Sequence, residues 1–271
     1  MPLKDSALIL TIETATRVGS LALARGSGVL GTRSGGDASV SHSQNLLPHI
    51  ETLLAESSVT LGEIELFAAA AGPGSFTGLR IGLATIKAFA ATLARPCLGV
   101  PTLYGIARAA GVSAATLAML PAGRGEVFWQ LLAVNEQRHI RALSAPGHAR
   151  PQDLLNEMQG TRALIWAGEG ARAFAELIEE GATRAGIAFE DEADDEAMLR
   201  VHKGGRAETQ GGLWRMAKPV ECLAEQLSAL ALTDYRGSAA PSRPEELQAL
   251  YVRMSDAEIS RLCQGENRHA K

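Results

Sequence analysis

Cysteine is scarce in this 271-residue chain: Cys97, Cys222 and Cys263 are the only three, far apart and with no C-x-x-C among them. An odd, dispersed set argues against a disulfide framework and a zinc knuckle, and suits a reducing, cytoplasmic setting. Long apolar runs are lacking as well. The longest early one, Ala7–Ile12, is too short for a signal-peptide core, and no stretch approaches the roughly 20 apolar residues of a membrane helix. A soluble, cytosolic chain is expected. There is no basic surplus either: 26 Lys and Arg stand against 30 Asp and Glu, for a net charge of −4. Proteins that grip nucleic acid alone draw on phosphate contacts, so any RNA connection is expected to run through a partner. No G-x-S-x-G of a hydrolase occurs; Gly74-Ser75-Phe76 lacks the following glycine.

What is present is an α/β pattern stated twice. Ala7–Glu13 and Ser20–Ala24 read as strands around a turn at 14–19, and Gly28–Thr32 adds a third, so an antiparallel meander opens the fold. In Ser41–Ser57, Leu46, Leu47, Ile50, Leu53 and Leu54 recur at helical spacing, and Ser41 with Gln44 has capping-box spacing. Pro48 should kink that helix or delay its start. Glu65–Ala71 reads as a buried strand, Thr77–Ala94 as a helix, Cys97–Val100 as a strand, and Pro101 as the opening of a helix to Ala110. In the second half, Thr116–Leu120 and Val127–Val134 read as paired strands. Pro151–Met158, Ala171–Gly181 and Pro219–Leu232 read as helices and Ala163–Ala167 as a strand. Residues 190–217 break the pattern: six acids crowd Glu190–Glu196, read as a solvated loop, and the tail after Glu266 is expected to fray. Two mixed-sheet subdomains follow, 1–108 with the glycine-rich helix and 109–271 with the acidic loop and the C-terminal tail.

The most informative segment is Ala71–Phe89, AGPGSFTGLRIGLATIKAF. A glycine turn between strand and helix can bind anions through free N–H groups. Its glycines are out of register for a P-loop or a dinucleotide fingerprint, and no Lys-Ser/Thr follows. Ser75 reads as a helix cap. Gly78 and Gly82 lie one turn apart, where the pair costs roughly 1–2 kcal/mol of helix propensity. Close packing must offset that cost, either inside the chain or at a subunit interface.

GPGSFTGLRIGLATIKAF, preceded by HSQNLLPHIETLL and by the opening ILTIETAT, resembles the bacterial TsaB (YeaZ) family; GRGEVFW at 123–129 and ALYVR at 249–253 add weaker matches. The resemblance implies an actin-like, sugar-kinase and Hsp70-type (ASKHA) fold. It also implies a non-catalytic scaffold role in the biosynthesis of N6-threonylcarbamoyladenosine (t6A37) in tRNA. The implied partners are a TsaD-like transferase and a TsaE-like ATPase, with tRNA reached indirectly through the complex and a homodimer when the chain is alone. No tightly bound cofactor is implied, ATP or ADP entering only in the partner complex.

In that superfamily the first hairpin turn contacts nucleotide phosphate, which places the contact here on Thr14, Ala15 and Thr16, with Thr14 and Thr16 as the side chains. The acid before that turn is usually aspartate, and here it is Glu13. Where the family often reads Asp-Ala-Arg, this chain has Pro121-Ala122-Gly123-Arg124. The partner or dimer surface is expected on Leu46, Leu47, Ile50, Leu53, Leu54, Gly78, Leu79, Gly82, Leu83, Ile86 and Ala90. A charge at Leu83 or Gly82 is then expected to break association before it unfolds the chain. The related transferase subunit carries an H-x-x-x-H metal pair, absent here; His42 and His49 would lie about 10.5 Å apart along a helix axis, too far to share an ion. His139, His148, His202 and His269 are scattered. No metal site and no intrinsic activity are expected. Three alternatives stand beside this reading: an actin-like ATPase or small-molecule kinase, a glycoprotease-like metallopeptidase, and a homodimeric binding module unrelated to tRNA.

Overall fold

A computed structural model describes residues 4–35, 42–193, 212–237 and 243–253. Ser41, Asp194–Glu196, His202, Cys263, His269 and the tail after Glu266 lie outside the described residues.

Strand β1 (Leu8–Glu13) is buried along its whole length because both faces of its sheet are covered. Its period-2 alternation splits the side chains. Leu8, Leu10 and Ile12 join one core, while Ile9 joins another. β2 (Ser20–Arg25) and β3 (Gly28–Ser34) pair antiparallel in turn, whereas β4 (Leu66–Gly72) and β5 (Cys97–Pro101) run parallel. The order is β3-β2-β1-β4-β5. The G-x-G-x-x-G spelled by Gly26, Gly28 and Gly31 falls on the β2–β3 hairpin, not between a strand and a helix, so it forms no dinucleotide loop.

Parallel neighbours need crossovers. Helix α1 (His42–Glu56) precedes β4, and α2 (Phe76–Leu93) joins β4 to β5. α1 runs through the exposed Pro48, so the start is not delayed, and the Thr52 hydroxyl donates to the Pro48 carbonyl at 2.8 Å. α2 is capped at Ser75, whose Oγ accepts the Gly78 N–H at 3.2 Å, and ends on Ala94 in the left-handed region. By length and composition α2 is the one described helix able to cross a membrane. Here its stripe of Leu83, Ile86 and Ala90 packs into the core of the first sheet, the behaviour of a core helix.

The second sheet repeats the plan. β6 (Ser113–Gly123) and β7 (Glu126–Val134) form its hairpin, extended by β8 (Ile140–Ala142) and by β9 (Gly147–Ala149), both paired with β7. After α4 (Pro151–Met158), β10 (Ala163–Ala167) lies parallel to β6. The expected helix at 171–181 is two pieces, α5 (Glu169–Arg172) and α6 (Ala175–Arg184). β11 (Ala188–Asp191) and β12 (Leu213–Met216) complete the order β11-β12-β10-β6-β7-β8. Both strands fall in or beside the stretch read as patternless.

The sheets divide near residue 108, yet the chain does not divide cleanly there. α3 (Thr102–Ala110) and α7 (Leu223–Gly237) cross so closely that a Cβ at Gly105 would lie 2.6 Å from the Leu227 side chain. α7 returns to the first sheet, packing on β1 and β2. One core cluster holds Ala15, Leu79 and Leu103 together with Leu120, Ile165 and Leu227, so the halves share it.

Candidate functional site

The β1–β2 turn closes on itself. The last residue of β1, Glu13, is 1% exposed, and its side chain turns back under the turn that follows. Glu13 Oε1 accepts the N–H groups of Ala15 at 2.6 Å and Thr16 at 2.7 Å. Its Oε2 accepts the hydroxyls of Thr16 at 2.8 Å and Ser20 at 3.3 Å. Ser20 Oγ accepts in turn the Ala224 N–H at 3.0 Å, which ties the turn to the start of α7. Of the residues on which the resemblance placed a phosphate contact, Ala15 and Thr16 therefore direct their donors to an internal carboxylate. Burial pushes the Glu13 carboxyl above its ordinary value, while the hydrogen bonds from Thr16, Ala15 and Ser20 pull the other way.

Thr14 is spent differently. Its hydroxyl donates to the Gly78 carbonyl at 2.7 Å, and the Ser75 N–H donates to the Ala15 carbonyl at 2.8 Å. The glycines of α2 make this approach possible. A Cβ at Gly78 would overlap the Thr14 carbonyl oxygen, and one at Gly82 would overlap the Thr14 hydroxyl. Of the two explanations left open for the glycine pair, packing within the chain is the one realised. Thr14 and Thr16 are buried, and their donors do not fit a phosphate without displacing Glu13 or Gly78.

The expected association residues face inward. Leu46, Ile50, Leu53, Leu54, Gly78, Leu79, Gly82, Leu83, Ile86 and Ala90 are all buried within the chain; Leu47, at 52% exposed, alone faces solvent. An apolar stripe covered by its own sheet is not available to a partner, so a charge at Leu83 or Gly82 is expected to attack the fold itself.

Beside the α2 start lies a cleft of about 280 Å³ between the halves, walled by Pro73, Ser75, Phe76, Pro121, Gly123 and Tyr251. The segment after α7 crosses it. Leu247 is buried in the first-sheet core, and the Leu250 N–H donates to the Ala71 carbonyl at 2.6 Å. The Tyr251 ring lies 5.2 Å from that of Phe76, over which the Arg80 guanidinium sits at 3.8 Å. Arg253 then reaches Glu126 of the second half at 3.1 Å. Residues 247–253 include the weak C-terminal motif, whose role as a clasp between halves no local signal announces. Among the described residues no three His, Cys, Asp or Glu side chains converge as a metal site would require.

Comparison with known proteins agrees with this architecture. A family model described as TsaD, tRNA N6-adenosine threonylcarbamoyltransferase, matches residues 32–190. The TsaB tRNA threonylcarbamoyladenosine biosynthesis protein of Escherichia coli is 30% identical over 181 residues, covering 64% of this chain and 75% of that protein. Its Haemophilus influenzae counterpart is 27% identical over 192 residues, covering 67% and 80%. A solved structure from Pseudomonas aeruginosa, described as an uncharacterized protein with similarity to peptidase YEAZ, superimposes with a TM-score of 0.66. At 21% identity over 91% of this chain and 100% of that one, it speaks for the fold. YeaZ from the same organism superimposes at 0.64, with 22% identity over 90% and 99% of the two chains. On a family match spanning more than half of its length and a curated relative covered over three quarters, the chain belongs to the TsaD-type family, on its TsaB (YeaZ) branch.

Proposed function

We propose that this chain is the non-catalytic scaffold subunit of the complex that forms N6-threonylcarbamoyladenosine in tRNA. In this reading it binds a TsaD-like transferase and holds it active, with a TsaE-like ATPase assisting and tRNA bound by the assembly. One observation carries the reading: in a TsaB-type fold, the hairpin turn that would receive phosphate is filled by the chain's own Glu13 carboxylate. A fold that spends its phosphate donors on itself contributes shape, not phosphoryl chemistry. The same observation disfavours a kinase or ATPase, and the lack of converging ligands among the described residues disfavours a metallopeptidase. Nucleotide is accordingly assigned to the partner complex.

Association, with the transferase or with a second copy, falls to the outer faces of α1 and α2, where Leu47, Arg80, Ala84 and Ala88 are exposed. The test is reconstitution from donor, tRNA, transferase and ATPase, with and without this chain. Formation of the modified nucleoside only when the chain is present supports the scaffold reading; equal yield in its absence, or turnover by the chain alone, overturns it.

A further inference from the structure

The last turn of α3 meets the β7–β8 hairpin through two arginines. Arg108 Nη1 donates to the Arg138 carbonyl at 3.1 Å, and Arg138 Nη1 donates to the Arg108 carbonyl at 2.9 Å. The hairpin end is itself fixed. Asn135 N–H donates to the His139 carbonyl at 3.1 Å, Arg138 N–H to the Asn135 carbonyl at 2.9 Å, and His139 N–H to Asn135 Oδ1 at 2.9 Å. Arg138 is held at a φ of 60°, a region non-glycine residues seldom enter. Two guanidinium groups are thus brought together on a stiff platform.

Among the described residues neither guanidinium has a carboxylate within ion-pair distance. The Arg108 Nε–H is buried with no acceptor. Burial, and then the charge of Arg138, push Arg108 below its ordinary value, with Glu225 of α7 pulling the other way. The loop between β7 and β8, 135–139, adds one more basic group, the exposed His139, against one acid, Glu136. Two adjacent cations, Arg108 partly buried and Arg138 exposed, repel each other, and an anion at their exposed N–H groups would relieve that repulsion. A guanidinium carries five N–H donors in a planar fork that matches phosphate oxygens, so most donors of this pair remain open to a ligand.

We propose that Arg108 and Arg138 form a phosphodiester-binding site that contacts the tRNA backbone in the modifying complex. The assignment of tRNA rests on the function proposed above. With a net charge of −4 the chain does not grip RNA alone; one or two phosphate contacts set the register of an RNA held elsewhere.

The experiment titrates labelled tRNA into the full chain mixed with the transferase subunit, over a series of salt concentrations. Arg138→Gln and Arg108→Gln should each lower the slope of log affinity against log salt by roughly 0.7–0.9, and reduce affinity several-fold at low salt. Arg138→Lys should retain most of the binding, and Arg184→Gln on α6 should change nothing. Melting curves identify any variant that loses binding by unfolding, and the exposed Arg138 gives the reading least affected by it. Unchanged slopes in both glutamine variants overturn the site. So does loss of polyaspartate binding with tRNA binding intact, which would assign the patch to an acidic protein surface. If the slopes do not change while modification still requires the chain, the phosphate site alone falls; if modification proceeds without the chain, the scaffold reading falls first.

Discussion

The two sheets are built on one plan, β3-β2-β1-β4-β5 against β8-β7-β6-β10-β12: a hairpin, a central strand, then parallel strands beyond it. In each, glycine after the next parallel strand lets a helix start press on the central strand or its end. Gly78 fits against Thr14, and a Cβ at Gly170 would lie 2.9 Å from the Leu120 nitrogen. The halves part at the hairpin turn. The first turn is folded over Glu13, with Ala15, Thr16 and Ser20 donating inward. The second has Gly123, Arg124 and Gly125 all at positive φ and exposed, and a Cβ at either glycine would meet nothing. One acid at the end of a strand separates an internal anchor from a surface loop.

The comparison breaks hardest at the glycines. Gly78→Ala must displace the Thr14 carbonyl, and an expected loss of about 3 kcal/mol or more follows from overpacking against backbone. Gly125→Ala meets open space and has only its left-handed φ to bear, about 1–2 kcal/mol. Denaturant midpoints of the two variants should fall in that order; equal losses would mean that the first turn is not the anchor.

Glu13→Ala comes next. Two buried N–H groups and two hydroxyls lose their acceptor, for an expected loss of about 2–3 kcal/mol. Glu13→Gln keeps one acceptor oxygen under the N–H pair and an amide that can donate to the hydroxyls, so it should cost about 1 kcal/mol. Urea denaturation of the pair decides, and a glutamine variant as unstable as the alanine one would show that the charge, not the hydrogen bonds, holds the turn.

The sign of the Glu13 shift sharpens this further. Burial raises its folded value above the ordinary 4.5, so the folded chain keeps the proton to higher pH than the unfolded chain. That contribution is fully present below the unfolded value and is lost as pH rises through the folded one. Glu13→Gln cannot titrate. Its stability relative to the parent chain should therefore improve as pH rises from about 4.5 toward neutrality. Midpoints measured at several pH values check this, and a gap that stays constant contradicts it. The smallest effect is expected at the clasp between halves: Arg253→Ala removes a partly exposed ion pair with Glu126, worth about 1 kcal/mol or less. A loss larger than that of Glu13→Ala would put the clasp, not the turn, at the centre of the structure.

Much of the first half was legible because its strands and helices carry strong periodicity. β1, α1 and α2 fall within a residue or two of their expected bounds. The missed strands β8, β9, β11 and β12 are three or four residues long, where pairing partners rather than local preference decide. The stripes on α1 and α2 announced that a face would be covered without saying by what. A side-chain period is silent on whether the cover is a sheet of the same chain or another molecule. Glu13 was visible as a glutamate where the resemblance leads one to expect aspartate, but its orientation depends on backbone donors that follow it in a turn. The return of α7 to the first sheet and the clasp at 247–253 are long-range contacts with no local signature.

The central claim is that the first hairpin turn is closed from within and receives no phosphate. Backbone amide NMR of the full chain, titrated with magnesium ATP, tests it directly through the Ala15 and Thr16 N–H signals. The account predicts that neither signal moves in the parent chain at concentrations that saturate the ATPase partner. A saturable shift of both signals would show that Glu13 yields its donors to nucleotide, and would contradict the account.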